Sequence, residues 1–176
     1  MTNRDAFLSY REKTVDKPPH ERVYFFHSHL YYDGDDENEV AKMKLLLEHI
    51  NTAFSEDNHV EVHEMQERAL GPHPRPHLEI LFTRERFADV VSYLTFTLPP
   101  TVSALIHPLT FDQAGDHTTR AMWLGKQLSI NPEILHKMDA DAAARGLSEE
   151  EIIWKIRQPK SFKDPMDNVH KRASTR

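Results

Sequence analysis

The stretch YFFHSHLYY, residues 24–32, sets two histidines into a run of aromatic and apolar residues. Such a run predicts a β-strand, and its broad apolar content predicts a central position in the sheet. Residues two apart on a strand point to the same face, so His27 and His29 are expected side by side, about 7 Å apart along the backbone. The pair either satisfies a local hydrogen-bonding need or holds something together.

The elements around this strand follow a βαββαβ order. The sequence predicts strands over 22–32, 59–66, 77–83 and 101–108, and helices over 40–54 and 84–97. This order is the ferredoxin-like pattern of an α+β protein, an antiparallel sheet with both helices on one face. The other face needs a cover, and residues 109–135 are well placed to provide it.

The chain divides into three predicted parts. Residues 1–20 are polar, end in DKPPH and are expected to form a flexible leader. Residues 21–135 are expected to form the ferredoxin-like domain. Residues 136–176 are expected to be a C-terminal extension of short helices that ends in a polar tail.

The composition excludes several classes of protein. A net charge of −6 argues against general nucleic-acid binding, which requires a basic face. The absence of cysteine removes disulfides, thiolate zinc sites and cysteine nucleophiles. No apolar stretch is long enough for a membrane span and the N-terminus lacks a signal-peptide core, so we expect a cytoplasmic protein without a membrane partner.

Among the 12 histidines, five that lie in or beside strands, or in loops marked by proline or glycine, are the candidates for a site. They are His27, His29, His73, His107 and His117. In the predicted topology they could converge on one patch of the sheet, and converging imidazoles suit a first-row divalent metal. From the residues alone, the alternative that each is a hydrogen-bonded core histidine remains open.

Taken together, the histidine stretches resemble the DOPA 4,5-dioxygenase family, whose members cleave the ring of catechols such as L-DOPA. The matching segments are HSHLYYD (27–33), GPHPRPHLEILF (71–82), LIHPLTFDQAGDHTTRAMWLG (105–125) and the following LSIN. They occur in the correct order between residues 22 and 135. Each motif is short, but their combination and spacing are fairly specific.

The resemblance implies a ferredoxin-like homodimer with non-haem iron(II) extradiol dioxygenase activity on a catechol and O₂. We expect His27, His29 and His107 to hold the iron, although imidazoles also accept zinc and other divalent metals. Many extradiol enzymes use two histidines and one carboxylate. The candidates for such a carboxylate are Glu79, Asp33, Asp112 and Asp116.

A mechanism at such a site gives hypothetical roles to residues near the metal. His73 or His117 would carry protons while the ring opens, because the pKa of an imidazole lies near neutrality. Tyr31, on the face of the histidine pair, would either contact the aromatic substrate or be a core or interface tyrosine. Arg75 or Arg120 would bind a substrate carboxylate, unless both are ordinary surface arginines.

Two other classes of function stay open. A ferredoxin-like dimer could be a binding or regulatory module whose histidines hold a structural metal, in a closed site of four protein ligands. The chain could also be a metal-dependent hydrolase that works through metal-bound water. Catechol-dependent oxygen uptake separates an oxygenase from both.

Overall fold

The computed structural model describes residues 3–55 and 57–156. The strands are β1 (Phe25–Tyr31), β2 (Val60–Val62), β3 (His77–Thr83), β4 (Ser103–Pro108) and β5 (Met122–Leu124). The helices are α1 (Asn3–Thr14), α2 (Pro19–Arg22), α3 (Glu37–Ala53), α4 (Phe87–Thr97), α5 (Gln113–His117), α6 (Pro132–Ala144) and α7 (Glu149–Glu151). Arg84–Arg86 form a 3₁₀ turn, and Ile152–Ile156 form a π-helical turn after α7.

The strands form one antiparallel sheet in the order β2-β3-β1-β4-β5. The fold is therefore α+β, as predicted, with the histidine-bearing strand β1 at the centre. Strand β2 is shorter than the predicted 59–66 segment. Strand β5 comes from the segment that was expected only to cover the sheet, and it pairs with β4 instead.

One face of the sheet carries the main hydrophobic core. Helices α3 and α4 pack there through Met43 and Ile50 of α3 and Leu94 of α4, against Leu30 of β1 and Ile80 of β3. Asp36 caps α3 by accepting hydrogen bonds from the backbone N–H groups at its start. Because side chains alternate along a strand, the odd-numbered residues of β1 point to the opposite face.

A second core closes one end of that opposite face. Phe7 of α1 is fully buried there, packed with Phe25 of β1 and Ile153 of the C-terminal turn. Its ring stacks on Trp154 with the centroids 5.9 Å apart. The prediction of a flexible leader over residues 1–20 is therefore wrong for residues 3–14. Apolar side chains from the distant C-terminal turn order this helix, and its own polar sequence does not reveal that packing.

The predicted boundary between residues 135 and 136 falls inside helix α6. The helix begins earlier because Asn131 caps it, accepting a hydrogen bond from Glu133 N at 3.2 Å, and Pro132 occupies the first position. The polar tail predicted at the end of the extension lies, from residue 157 onward, outside the described residues. Among the helices of residues 3–55 and 57–156, none is both long and apolar enough to cross a bilayer.

The packing of Phe7 gives a first testable expectation. Phe7→Ala should lower the free energy of unfolding by about 3–5 kcal/mol, because it removes a fully buried aromatic ring. Phe96→Ala is the matched control, since Phe96 on α4 is 88% exposed and its loss should change stability by no more than about 0.5 kcal/mol. Urea denaturation of the two variants measures both values, and equal stabilities would contradict the buried position of α1.

Candidate metal centre

Strand pairing brings the first residues of the site together on the face opposite α3 and α4. His27 of β1 lies directly across from His107 of β4, and His29 lies across from Glu79 of β3. One step further along the same face, Tyr31 lies across from His77. The predicted convergence of β1 and β4 is therefore present, and β3 contributes a histidine and a carboxylate beside it.

Two more histidines reach this patch from outside the central strands. His73 comes from the proline-rich loop before β3, and its ring centroid lies 4.1 Å from that of His29. A backbone hydrogen bond holds this loop in place, since Asn131 N donates to Pro72 O at 3.0 Å. His117, at the end of α5, has its ring centroid 3.9 Å from that of His107.

A pocket of about 410 Å³ opens onto this cluster, within the size range of small-molecule sites. Its polar lining consists of His27, His29, His73, His77, Glu79, Gln113 and His117. Its apolar lining comes from the 70–72 loop segment and from Leu135 and Met138 of α6. The arrangement can hold an aromatic ring against apolar side chains while several imidazoles face it.

Backbone carbonyls fix the protonation pattern of three of these imidazoles. Nδ1 of His107 lies 2.7 Å from Pro108 O, Nδ1 of His117 lies 2.9 Å from Gln113 O, and Nδ1 of His77 lies 3.3 Å from Arg75 O. A carbonyl oxygen only accepts hydrogen bonds, so each Nδ1 carries the proton. The Nε2 atom of each neutral ring is then left with a lone pair, the form in which histidine binds a metal.

His29 lies at the centre of the cluster. Its Nε2 lies 3.1 Å from Nε2 of His107, and its ring is 2% exposed. Within the described part of the chain, its buried Nδ1 has no hydrogen-bond partner. The nearest carboxylate oxygen on that side is Oε2 of Glu79, at 3.8 Å. A histidine whose Nε2 faces another imidazole nitrogen and whose buried Nδ1 lies near a carboxylate without bonding to it suits a place beside a cation.

Burial keeps the central imidazoles neutral. It lowers the pKa of His29 well below its usual value, and the neighbouring imidazoles, His73 first among them, add to this effect. Burial also lowers the pKa of His73 to about 2, with His77 and His117 contributing. Neutral imidazoles are the metal-binding form, so the environment favours a lone pair on these rings.

Glu79, in contrast to these imidazoles, is in its charged form. Burial alone would raise its pKa, but the imidazoles of His27 and His63 outweigh this and hold its pKa below the usual range. Its Oε1 lies 3.0 Å from His63 Nδ1 and 3.5 Å from His27 Nε2. The carboxylate is therefore ionised and lies among imidazoles, where its negative charge would support a bound cation.

Three groups of side chains in the described residues have the geometry to hold a metal ion. They are His27/His29/His107, His29/His73/His117 and His29/His77/Glu79, and the ligand atoms in each group all lie within 4.8 Å of one another. His29 belongs to all three. The donor set of imidazoles with one carboxylate fits a first-row divalent ion.

The structure brings all five predicted histidines to one pocket or its floor, but it places the predicted substrate residues differently. Tyr31 is buried, and its hydroxyl lies 2.7 Å from His73 Nδ1, so it holds that histidine. Arg75 is exposed and lines a separate pocket of about 460 Å³ with Asp33 and Asp35. Neither side chain is in the lining of the histidine pocket.

Three of the four candidate carboxylate ligands have structural roles instead. Asp33 accepts a hydrogen bond from Asp35 N in the turn after β1. Asp112 and Asp116 both pair with Arg120, at 2.7 and 2.9 Å. Arg120 therefore braces the segment around α5 and is not directed at a substrate. Glu79 is the candidate that lies within the histidine cluster.

Sequence reasoning missed His77 and His63. His77 lies two residues before Glu79 on β3, so strand alternation already placed the two on one face. His63 directly follows β2 and contacts both Glu61 and Glu79, at 3.0 Å each. Alternation along the predicted strand 59–66 already places Glu61 and His63 on one face, whereas the contact of His63 with Glu79 depends on the pairing of β2 with β3.

Helix α6 holds the short helix α5 in position. The two carboxylate oxygens of Asp139 accept hydrogen bonds from the backbone N–H groups of Gln113 and Ala114, each at 3.0 Å. These groups begin α5 and would otherwise lack partners inside the helix. Asp139 thereby fixes the helix that carries His117.

Asp139→Ala should lower the free energy of unfolding by about 1–2 kcal/mol, because two buried backbone donors lose their acceptor. Hydrogen exchange at the amides of Gln113 and Ala114 should become faster. Asp141→Ala is the control on the same helix, since its carboxylate is exposed and forms one ion pair with Arg145 at 3.4 Å. Unchanged exchange in the Asp139 variant would mean that α5 does not depend on this contact.

Comparison with known proteins assigns the chain to a family. The family model described as "Dopa 4,5-dioxygenase family" matches residues 26–134, which include every histidine of the pocket. An uncharacterised 21.2 kDa protein of Botryotinia fuckeliana is 32% identical over 127 residues, covering 68% of this chain and 67% of that protein. A DOPA 4,5-dioxygenase of Amanita muscaria is 40% identical over 62 residues, 35% of this chain, and the match spans 27% of that protein's length.

A solved structure supports the same assignment. The crystal structure of a Nostoc punctiforme protein described as a candidate dioxygenase superposes with a TM-score of 0.56 at 25% sequence identity. The alignment covers 71% of this chain and 96% of the Nostoc protein. With the family match spanning more than half of the sequence, the chain belongs to the Dopa 4,5-dioxygenase family.

Proposed function

We propose that this protein is a non-haem iron(II)-dependent extradiol dioxygenase that opens the ring of a catechol such as L-DOPA with O₂. The observation that carries the proposal is a pocket of about 410 Å³ lined by five imidazoles and the carboxylate of Glu79, in which burial lowers the pKa of His29, His73 and His77. Membership of a dioxygenase family supports the oxygenase class. The strand order and the shared face of α3 and α4 fit the ferredoxin-like fold, extended by β5.

We propose His27, His29 and His107 as the residues that hold the iron. Two imidazole nitrogens on adjacent positions of one ion lie about 3.0–3.4 Å apart when each metal–nitrogen bond is about 2.1 Å. Nε2 of His29 and Nε2 of His107 are already 3.1 Å apart. When bound, iron(II) supplies a Lewis acid and an electron path between the catechol and O₂.

The residues of the pocket would orient the substrate and move its protons. His73 and His117 line the pocket, and a proton accepted from a catechol hydroxyl and returned as the ring opens would go first to His117, because burial lowers the pKa of His73 to about 2 and makes it a weak base. Tyr31 holds the ring of His73 through its hydroxyl, and Gln113 O holds that of His117. Leu135 and Met138 would pack on the aromatic ring and exclude water from it.

A second set of ligands is His29, His77 and Glu79, with His29 binding through Nδ1. Two histidines and one carboxylate are typical of non-haem iron(II) oxygenases. The buried Nδ1 that lacks a hydrogen-bond partner among the described residues favours this set. We prefer the first set because Nδ1 of His29 and Oε2 of Glu79 are 3.8 Å apart and would have to approach.

The proposal is tested by loading the protein with iron(II) without oxygen, then adding L-DOPA and air. We expect oxygen uptake that depends on the catechol, equal in moles to the substrate consumed, and a yellow ring-opened product. No added reductant is needed, because both oxygen atoms enter the product. A module with a structural metal, or a hydrolase, would bind metal without taking up oxygen. That result would overturn the proposed activity.

The resemblance also implies a homodimer, and the oligomeric state stays a prediction. Sedimentation equilibrium of the iron-loaded protein measures it directly. A mass of twice 20.5 kDa is expected for the dimer.

A further inference from the structure

A chain of three ionisable side chains runs from the edge of the sheet into the histidine cluster. Glu61 lies on the edge strand β2, His63 follows that strand, and Glu79 lies on the neighbouring strand β3. Nε2 of His63 is 3.0 Å from Glu61 Oε1, and Nδ1 of His63 is 3.0 Å from Glu79 Oε1. One imidazole therefore lies between two carboxylates.

This chain is protected from solvent. Glu61 is only 6% exposed, and the side chains of His63 and Glu79 are 13% and 23% exposed. Removing two carboxylates from water costs free energy, which ion pairs and hydrogen bonds must offset. Apolar residues of similar size would cover the sheet edge without this cost, so stability alone does not account for the arrangement.

The contact with His63 determines how Glu79 is oriented. His63 engages Oε1, the same oxygen that lies 3.5 Å from His27 Nε2. The other oxygen, Oε2, is thereby directed to His29 Nδ1. The backbone strengthens the alignment, because His63 N donates a hydrogen bond to Glu79 O at 2.9 Å.

We propose that His63 is a positioning residue that fixes the Glu79 carboxylate beside His29 and so increases the affinity of the histidine cluster for a divalent cation. A carboxylate behind a ligating histidine orients the ring and makes its nitrogen more basic. The inference rests on the proposed metal site, but it holds whether Glu79 lies behind His29 or binds the metal itself.

The test compares His63→Asn with His63→Gln. The side-chain amide nitrogen of asparagine lies near the position of Nδ1 in histidine, and that of glutamine lies near Nε2. H63N therefore retains a donor to Glu79, whereas H63Q retains a donor to Glu61 only. Both variants are polar and similar in size, so a difference between them reports on the Glu79 contact and not on burial.

Cobalt(II) is the probe, because its visible spectrum reports the coordination geometry and its affinity is measured without turnover. We expect H63Q to lower cobalt affinity about 10-fold, the lower end of the effect of losing a residue behind a ligand, and to alter the spectrum. H63N should stay close to the wild-type protein in both. Glu61→Gln, which leaves the contact between His63 and Glu79 in place, should also stay close to wild type.

Equal affinity and spectrum in H63Q and the wild-type protein would overturn the inference, as would a loss in H63N as large as in H63Q. A wild-type protein that does not bind cobalt would overturn both this inference and the proposed metal site. If cobalt binding changes as expected but catechol causes no oxygen uptake with iron, the positioning role stands and the proposed dioxygenase activity fails.

Discussion

Replacement of His29 by alanine should abolish catechol-dependent oxygen uptake in the iron-loaded protein. It should also lower the affinity for iron(II) by more than about 100-fold, beyond the effect of losing a residue that only supports a ligand. The reason is geometric, because His29 is the one residue common to all three candidate metal groups among the described side chains. Whichever group holds the ion, this substitution removes a ligand.

The measurement needs two controls. His49→Ala makes the same substitution at an exposed position of α3 and should leave oxygen uptake and metal content unchanged. Because His29 is buried, the alanine variant leaves a cavity in the sheet face, so His29→Gln serves as a second variant that fills most of the space. Full iron binding and oxygen uptake in a folded His29 variant would show that the metal is not bound by this cluster.

Much of the candidate site was predictable because it depends on strand periodicity. Side-chain alternation placed His27 and His29 on one face, and the ferredoxin-like order placed the strand of His107 next to theirs. Both inferences need only the spacing of residues within a strand and the order of the strands and helices, which can be obtained from the sequence. The alternation on β3 carries the same information for His77 and Glu79, so the place of His77 beside the site was equally predictable.

Most of the contacts that were not predicted depend on distant parts of the chain. His63 contacts Glu79 through the pairing of β2 with β3. Arg120 is an exception, because it pairs with two aspartates of its own segment, Asp112 and Asp116. Arg75 lines a separate pocket, which was not predictable because the composition of a proline-rich loop does not determine its path. Helix α1 is ordered by packing against the C-terminal turn, about 140 residues away along the chain.

The metal ligands themselves are decided by comparing His107→Ala with Glu79→Gln. If His27, His29 and His107 hold the metal, His107→Ala should weaken iron(II) binding by more than about 100-fold, whereas Glu79→Gln, which removes a charge behind His29, should weaken it by about 10- to 100-fold. Competition with a chelator measures both affinities. The reverse order would assign the metal to His29, His77 and Glu79, since His107 would then only accept a hydrogen bond from His29 Nε2 across the observed 3.1 Å.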